Sequence, residues 1–196
     1  MHRDEPGAKM GMWLFLFSEL LLFGGLFLVY AVYFSRYRTD FISAGKHLDT
    51  LLGTLNTAVL LTSSLLVAMA VSALRSGFTR KAAILLILTV FCAGGFLAVK
   101  YVEWGGKISH GLYPNGPELL KLPKGEIMFF NLYYLVTGLH GLHVVIGALL
   151  LSCILGGILI GRVGKNEAIW LENSGLYWHL VDLIWVYVFP LFYLVT

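Results

Sequence analysis

A chain of 196 residues that is 58% hydrophobic and only 13% charged lies outside the range of soluble domains, which run near 45–50% apolar and about 25% charged. A formal net charge of +3 without a long Lys/Arg run argues against a nucleic-acid partner, which a basic patch or stripe would announce. The composition instead suits a single membrane domain over residues 1–196, a compact helical bundle in a bilayer.

Gaps between charges mark the spans. From Lys9 to Arg36 the only charge is Glu19, which predicts a first helix over 11–34. Its apolar part is too long for a signal peptide and no small-residue cleavage site follows, so it reads as an uncleaved span. The stretch from Asp49 to Arg75 holds no charge, nor does that from Lys81 to Lys100; these give spans over 52–74 and 82–103. The longest charge-free run, Glu126 to Arg162, gives the fourth over 128–160. After Glu172 only Asp182 interrupts the run to Thr196, giving the fifth over 175–195. About 20 apolar residues cross the hydrocarbon as helix, and isolated runs in lipid must satisfy their own backbone hydrogen bonds. The predicted fold is all-α, an integral membrane bundle of five transmembrane helices.

The fourth run is too long for one perpendicular span and too short for two with a turn. It predicts one tilted helix whose aromatic start, Phe129 to Tyr134, lies at the membrane interface. The loop from Trp104 to Glu126, with Pro114, Pro117 and Pro123, is long for a bundle connection and suits covering a partner surface. With the N-terminus inside, inner segments carry Arg3, Lys9, Arg75, Arg80, Lys81, Arg162 and Lys165, against Arg36, Arg38, Lys46, Lys107, Lys121 and Lys124 outside. The totals nearly balance, and the tight cationic turn from Arg75 to Lys81 favours an inside N-terminus. Small residues at four-residue spacing, Ser64/Ala68/Ser72 and Ala148/Ser152/Gly156, predict close helix packing inside the bundle or docking on another subunit. Cys92 and Cys153 lie in apolar runs without disulfide or metal spacing and read as packing residues.

Ionisable side chains within spans are expensive and mark a task. Glu19, between Ser18 and an apolar run, reads either as a proton-handling or lipid-headgroup-adjacent site, or as an acid hydrogen-bonded across helices. His140 and His143 share one helical face. His179 and Asp182 repeat that spacing on the fifth helix, where the carboxyl can accept from the ring N–H. Two readings stay open for these histidines: haem or metal ligation across helices four and five, and a buried hydrogen-bond network. Lys100 and Glu103 either pair near the interface or snorkel to the headgroups. No phosphate loop, nucleophile elbow or carboxylate pair offers a site for chemistry on a bound substrate, so no active site of the chain's own is expected.

Five blocks in order together resemble the cytochrome c oxidase subunit III family, over nearly the whole chain. They are Gly11-Met12-Trp13-Leu14-Phe15-Leu16-Phe17-Ser18-Glu19, Leu55-Asn56-Thr57 through Ser64, and Lys100-Tyr101-Val102-Glu103-Trp104. Thr137-Gly138-Leu139-His140-Gly141-Leu142-His143-Val144 follows, and then Glu172-Asn173 with Tyr177-Trp178-His179-Leu180-Val181-Asp182-Leu183-Ile184-Trp185. The resemblance implies a non-catalytic subunit that binds no redox metal, packs directly on subunit I beside subunit II, holds phospholipid and supports proton uptake. Haem and copper would then sit in partner subunits, with cytochrome c or quinol as electron donor. It also implies that Glu19 is the family's membrane-embedded glutamate, and that His140, His143, Glu172, His179 and Asp182 are its polar residues in the last two helices. Haem ligation by this chain is correspondingly disfavoured. Five helices rather than the mitochondrial seven point to a bacterial plasma membrane, with the N-terminus cytoplasmic. Lys100 stands where mitochondrial members carry an acidic residue, which weakens proton-antenna behaviour at that end of the third helix. Quinol oxidases and an accessory protein of nitric oxide reductase share the five-helix form. A free-standing membrane haem protein using His140, His143 and His179 is the alternative from another class.

Overall fold

A computed structural model describes residues 5–194, and among them there are helices and no strand. Five helices are long and apolar enough to cross a membrane: α1 (Glu5–Arg36), α3 (Thr50–Arg75), α4 (Thr79–Ser109), α5 (Lys124–Leu159) and α6 (Ala168–Tyr193), with a short α2 (Arg38–Gly45) after the first. Helix α4 overruns its charge-free run by ten residues at its C-terminal end, because polar residues continue the helix beyond the apolar stretch, whereas α3 passes its own by one. At about 1.5 Å per residue, the 36 residues of α5 form one helix of roughly 54 Å, longer than a hydrocarbon core of about 30 Å.

The tight cationic turn makes α3 and α4 an antiparallel pair. Gly77 has φ of 84°, a conformation that costs glycine nothing. The amides of Gly77 and Phe78 then reach back to Leu74 (3.0 Å) and Ala73 (2.9 Å) and satisfy the last carbonyls of α3. Helix α6 is central, packing on α1, α3 and α5. Helix α1 is peripheral: only 11% of its most apolar window is buried, against 50% for α6.

Phe129, Phe130 and Tyr133 are fully buried within the bundle, because α2 folds over the start of α5. Phe129 meets Phe41 of α2 edge-on at 5.4 Å and Phe192 of α6 at 5.5 Å. Asp40 accepts from the Gly125 amide at 3.1 Å, so α2 also caps α5. Polar residues flank the single buried face of α2, and an eight-residue helix leaves too short a pattern to read from sequence. The close helix contacts, in turn, are made by glycines outside the four-residue stripes. A Cβ at Gly53 would lie 2.7 Å from the Tyr193 ring, and one at Gly147 2.7 Å from Trp178. Ala68, Ser72 and Gly156 are exposed, while Ser64, Ala148 and Ser152 are half-buried.

Candidate functional site

Polar side chains bond across the apolar bundle in several places. Glu19 of α1 meets His143 of α5, Oε2 to Nε2, at 2.9 Å. The other ring nitrogen, Nδ1, lies 2.7 Å from the Leu139 carbonyl; a carbonyl only accepts, so Nδ1 carries the hydrogen. Nε2 then either accepts from a neutral carboxyl or donates to a carboxylate, and the pair holds one proton between its two partners. Phe23 packs edge-on to the imidazole at 5.4 Å.

The second cluster is the most buried. Lys100 Nζ donates to Glu103 at 2.9 Å, to the Tyr193 hydroxyl at 2.6 Å and to the Tyr133 hydroxyl at 3.2 Å. Both tyrosines donate to Glu103, at 2.8 and 2.9 Å, and Lys107 Nζ stands 3.7 Å from the same carboxylate. Lys100 also lies 5.0 Å from the Trp185 ring, a cation–π contact. Of the two sequence readings, pairing holds and snorkelling does not: Lys100 and Glu103 are each only 7% exposed.

The expected His179/Asp182 pair does not form. His179 Nδ1 instead meets the Ser64 hydroxyl of α3 at 2.6 Å; the same Ser64 lies beside Asp182, whose oxygens have no hydrogen-bond partner of good geometry among the described residues. Three residues along a helix turn the two side chains about 60° apart, enough for a neighbouring helix to supply the nearer partner. His140 shares the face of His143 but not its network. It is completely buried between Phe96 and Trp185, with ring centroids at 5.6 and 5.0 Å, and neither ring nitrogen is bonded among the described residues. Glu172, at the end of the bundle where α1 begins, accepts from Arg75 Nε at 2.5 Å and lies 3.7 Å from Lys9 Nζ.

Lys107, Tyr133, Tyr193, Arg75 and Ser64 were not singled out from the sequence as partners in these clusters. Lys107 follows Glu103 by four residues, a spacing that pairs charges on one helical face. Nothing in the sequence marks Tyr193 among the aromatic residues around it. Among the described residues no group of three or more His, Cys, Asp and Glu side chains converges as a metal site would.

The profile of the family described as cytochrome c oxidase subunit III matches residues 3–196. The chain belongs to the cytochrome c oxidase subunit III family. It is similar to cytochrome c oxidase subunit 3 of Thermostichus vulcanus, 30% identical over all of this chain and 90% of that one. The cytochrome bo(3) ubiquinol oxidase subunit 3 of Buchnera aphidicola is 28% identical over 94% of this chain and 92% of its own. The heme-copper oxidase subunit I+III of Aeropyrum pernix is 33% identical over 99% of this chain, which spans only 24% of that longer protein. As a subunit III of haem-copper oxidases, a family with cytochrome c and quinol types, the chain is a multi-pass membrane protein that partners with other oxidase subunits.

Proposed function

We propose that the chain is the non-catalytic subunit III that docks on subunit I beside subunit II, holds phospholipid and supports proton uptake. The complex would oxidise cytochrome c and reduce O₂ in a bacterial plasma membrane, with this chain's N-terminus on the cytoplasmic side and haem and copper in its partners. The observation that carries the reading is the Aeropyrum pernix relative, whose name joins subunits I and III in one protein. A single chain keeps its two parts in one molecule, so contact with subunit I is the arrangement this similarity favours. The Glu19–His143 pair supports a proton-handling role, because it holds a proton that either partner can carry. The broad apolar surface, with Trp13, Phe91 and Tyr101 among its exposed side chains, supports contact with lipid and with a neighbouring subunit.

A second reading, a quinol oxidase subunit III, is favoured by the Buchnera aphidicola relative. Purification in mild detergent, identification of the co-purifying chains and a redox difference spectrum separate the two. A copper-bearing subunit II points to cytochrome c. Deletion of the chain is expected to leave the haem spectrum nearly intact while turnover or enzyme lifetime falls. Loss of haem from an otherwise assembled complex would overturn the proposal, as would a Soret band in this chain purified alone.

A further inference from the structure

Buried tyrosine hydroxyls in this bundle meet two kinds of acceptor. Tyr30 donates to the Leu191 carbonyl and Tyr177 to the His143 carbonyl. Tyr133 and Tyr193 donate instead to one carboxylate, Glu103, at 2.9 and 2.8 Å. The difference matters for oxidation. A phenol that gives up an electron becomes a very strong acid, and it settles as a neutral radical only where a base takes its proton. An amide carbonyl is no such base, whereas a carboxylate is. Glu103 is paired as a carboxylate with Lys100 at 2.9 Å and Lys107 at 3.7 Å. Lys100 also donates to both hydroxyl oxygens. An ammonium offers no acceptor, so each phenolic hydrogen is left to point at Glu103.

The pair stands at the buried end of a line of oxidisable rings. The two hydroxyls are 3.3 Å apart and the ring centroids 6.3 Å. Tyr134 adjoins Tyr133 at 5.4 Å, and Trp104 adjoins Tyr134 at 5.2 Å; both of these outer rings are half-buried. Neither the Tyr134 hydroxyl nor the Trp104 indole N–H has a hydrogen-bond partner among the described residues. An electron vacancy on either ring therefore finds no base for its proton and moves on to Tyr133. A surface pocket lined by His47, Asp49, Lys107 and His110 reaches Glu103, so a proton held there exchanges with water. A ring path to the surface and a shared base thus converge on two phenols.

We propose that Tyr133 and Tyr193 are a redox-active pair that captures a one-electron oxidising equivalent entering at Trp104 and holds it as a neutral tyrosyl radical, with Glu103 as the base. The oxidant, a radical derived from partly reduced oxygen, takes one electron from Trp104. Tyr134 refills Trp104, one phenol of the pair refills Tyr134, and its proton moves to Glu103. The oxidant is then reduced by one electron, one tyrosine is a neutral radical and Glu103 is a carboxylic acid. A one-electron reductant such as a quinol returns the electron. The proton goes back to the phenol, because Lys100 and Lys107 attract the carboxylate charge. The inference rests on the proposed oxidase role for the supply of oxidant, not for the chemistry of the pair.

The purified complex, blocked with cyanide, is oxidised by flash photolysis of ruthenium tris-bipyridine with persulfate, frozen, and read by electron paramagnetic resonance and infrared difference spectroscopy. A neutral tyrosyl signal is expected together with a new carboxylic-acid carbonyl band. Tyr133→Phe with Tyr193→Phe should lose this signal, while radicals on partner subunits are common to both samples and cancel in the difference. Glu103→Gln should lose the band and the long-lived radical, although its amide still accepts from both phenols. If it fails to assemble, Lys100→Met with Glu103→Gln takes its place. If the double Phe variant fails to assemble, the single variants decide, because the radical is then confined to one ring and its hyperfine pattern changes. A spectrum unchanged in the Phe variants, or a tyrosyl radical without the carbonyl band, would overturn the pair. The same radical in a chain that never co-purifies with a haem-bearing subunit would overturn the functional reading and leave the pair standing.

Discussion

Lys100→Met isolates what the buried charge cluster contributes. The substitution keeps the apolar stem of the side chain and removes the ammonium, leaving Glu103 buried with two tyrosine hydroxyls and Lys107 3.7 Å away. Removing one partner of a buried pair costs about 3–5 kcal/mol. The surviving tyrosine bonds place this variant at the lower end, about 3 kcal/mol. Glu103→Gln strands the ammonium instead and should cost a similar ~3 kcal/mol. The double variant leaves no buried charge on either residue, and the glutamine carbonyl still accepts from Tyr133 and Tyr193. It should therefore be more stable than either single variant, within about 1 kcal/mol of the parent, since replacing both members of a buried pair is often neutral. Denaturant titration of the purified complex in detergent micelles, followed by tryptophan fluorescence and by retention of the chain, gives the three values. The cycle should show at least ~2 kcal/mol of non-additivity. Additive losses, within about 0.5 kcal/mol, would refute the idea that Lys100 and Glu103 stabilise each other.

Glu19→Gln should preserve assembly, because the amide donates to the one ring nitrogen of His143 that is not tied to the Leu139 carbonyl. Glu19→Leu leaves that nitrogen without a partner, costs about 1–3 kcal/mol and should weaken subunit docking or lipid retention. A pull-down of subunit I with lipid analysis checks this, and equal behaviour of the two variants would count against it. At His179 the partner is Ser64, so Ser64→Ala should cost about 1–2 kcal/mol. Asp182→Asn should stay within about 1 kcal/mol of the parent, because no bond to the Asp182 oxygens is lost. Assembled yield and thermal midpoint of both variants test the pair, and a larger loss for Asp182→Asn would restore the His179–Asp182 contact.

The sequence made the five helices legible because charge is costly in hydrocarbon and each apolar run had to be a helix. It also singled out Glu19, Lys100, Glu103, His140, His143 and Asp182 as ionisable residues inside the spans. Their partners were harder to see. Glu19 and His143 are 124 residues apart, and nothing local tells His143 to face α1 while His140, one turn earlier, faces Phe96 and Trp185. That choice follows from how α5 is rotated, and the rotation is set by glycine contacts such as Gly147 against Trp178. The His179/Asp182 expectation failed on the same account: helical spacing places two side chains on one face but does not say whether another helix comes nearer. Lys100 differs, since its carboxylate lies three residues along the same helix, and there the spacing alone named the partner.

The positions of these contacts bear on how α1 is held. With so little of its apolar surface buried in the bundle, α1 gains little from packing that lipid could not also supply, because there is no hydrophobic force between helices in a bilayer. What distinguishes its docked position is polar, and the contacts come at three depths. Lys9 reaches Glu172 at one end, Glu19 bonds His143 near the middle, and the Tyr30 hydroxyl donates to the Leu191 carbonyl towards the other. A hydrogen bond has no equal partner in hydrocarbon, so these contacts fix register and rotation where apolar contacts would let α1 slide. The embedded glutamate therefore also positions the helix. Loss of Glu19 would act on every surface α1 builds, without any change in the other residues of those surfaces.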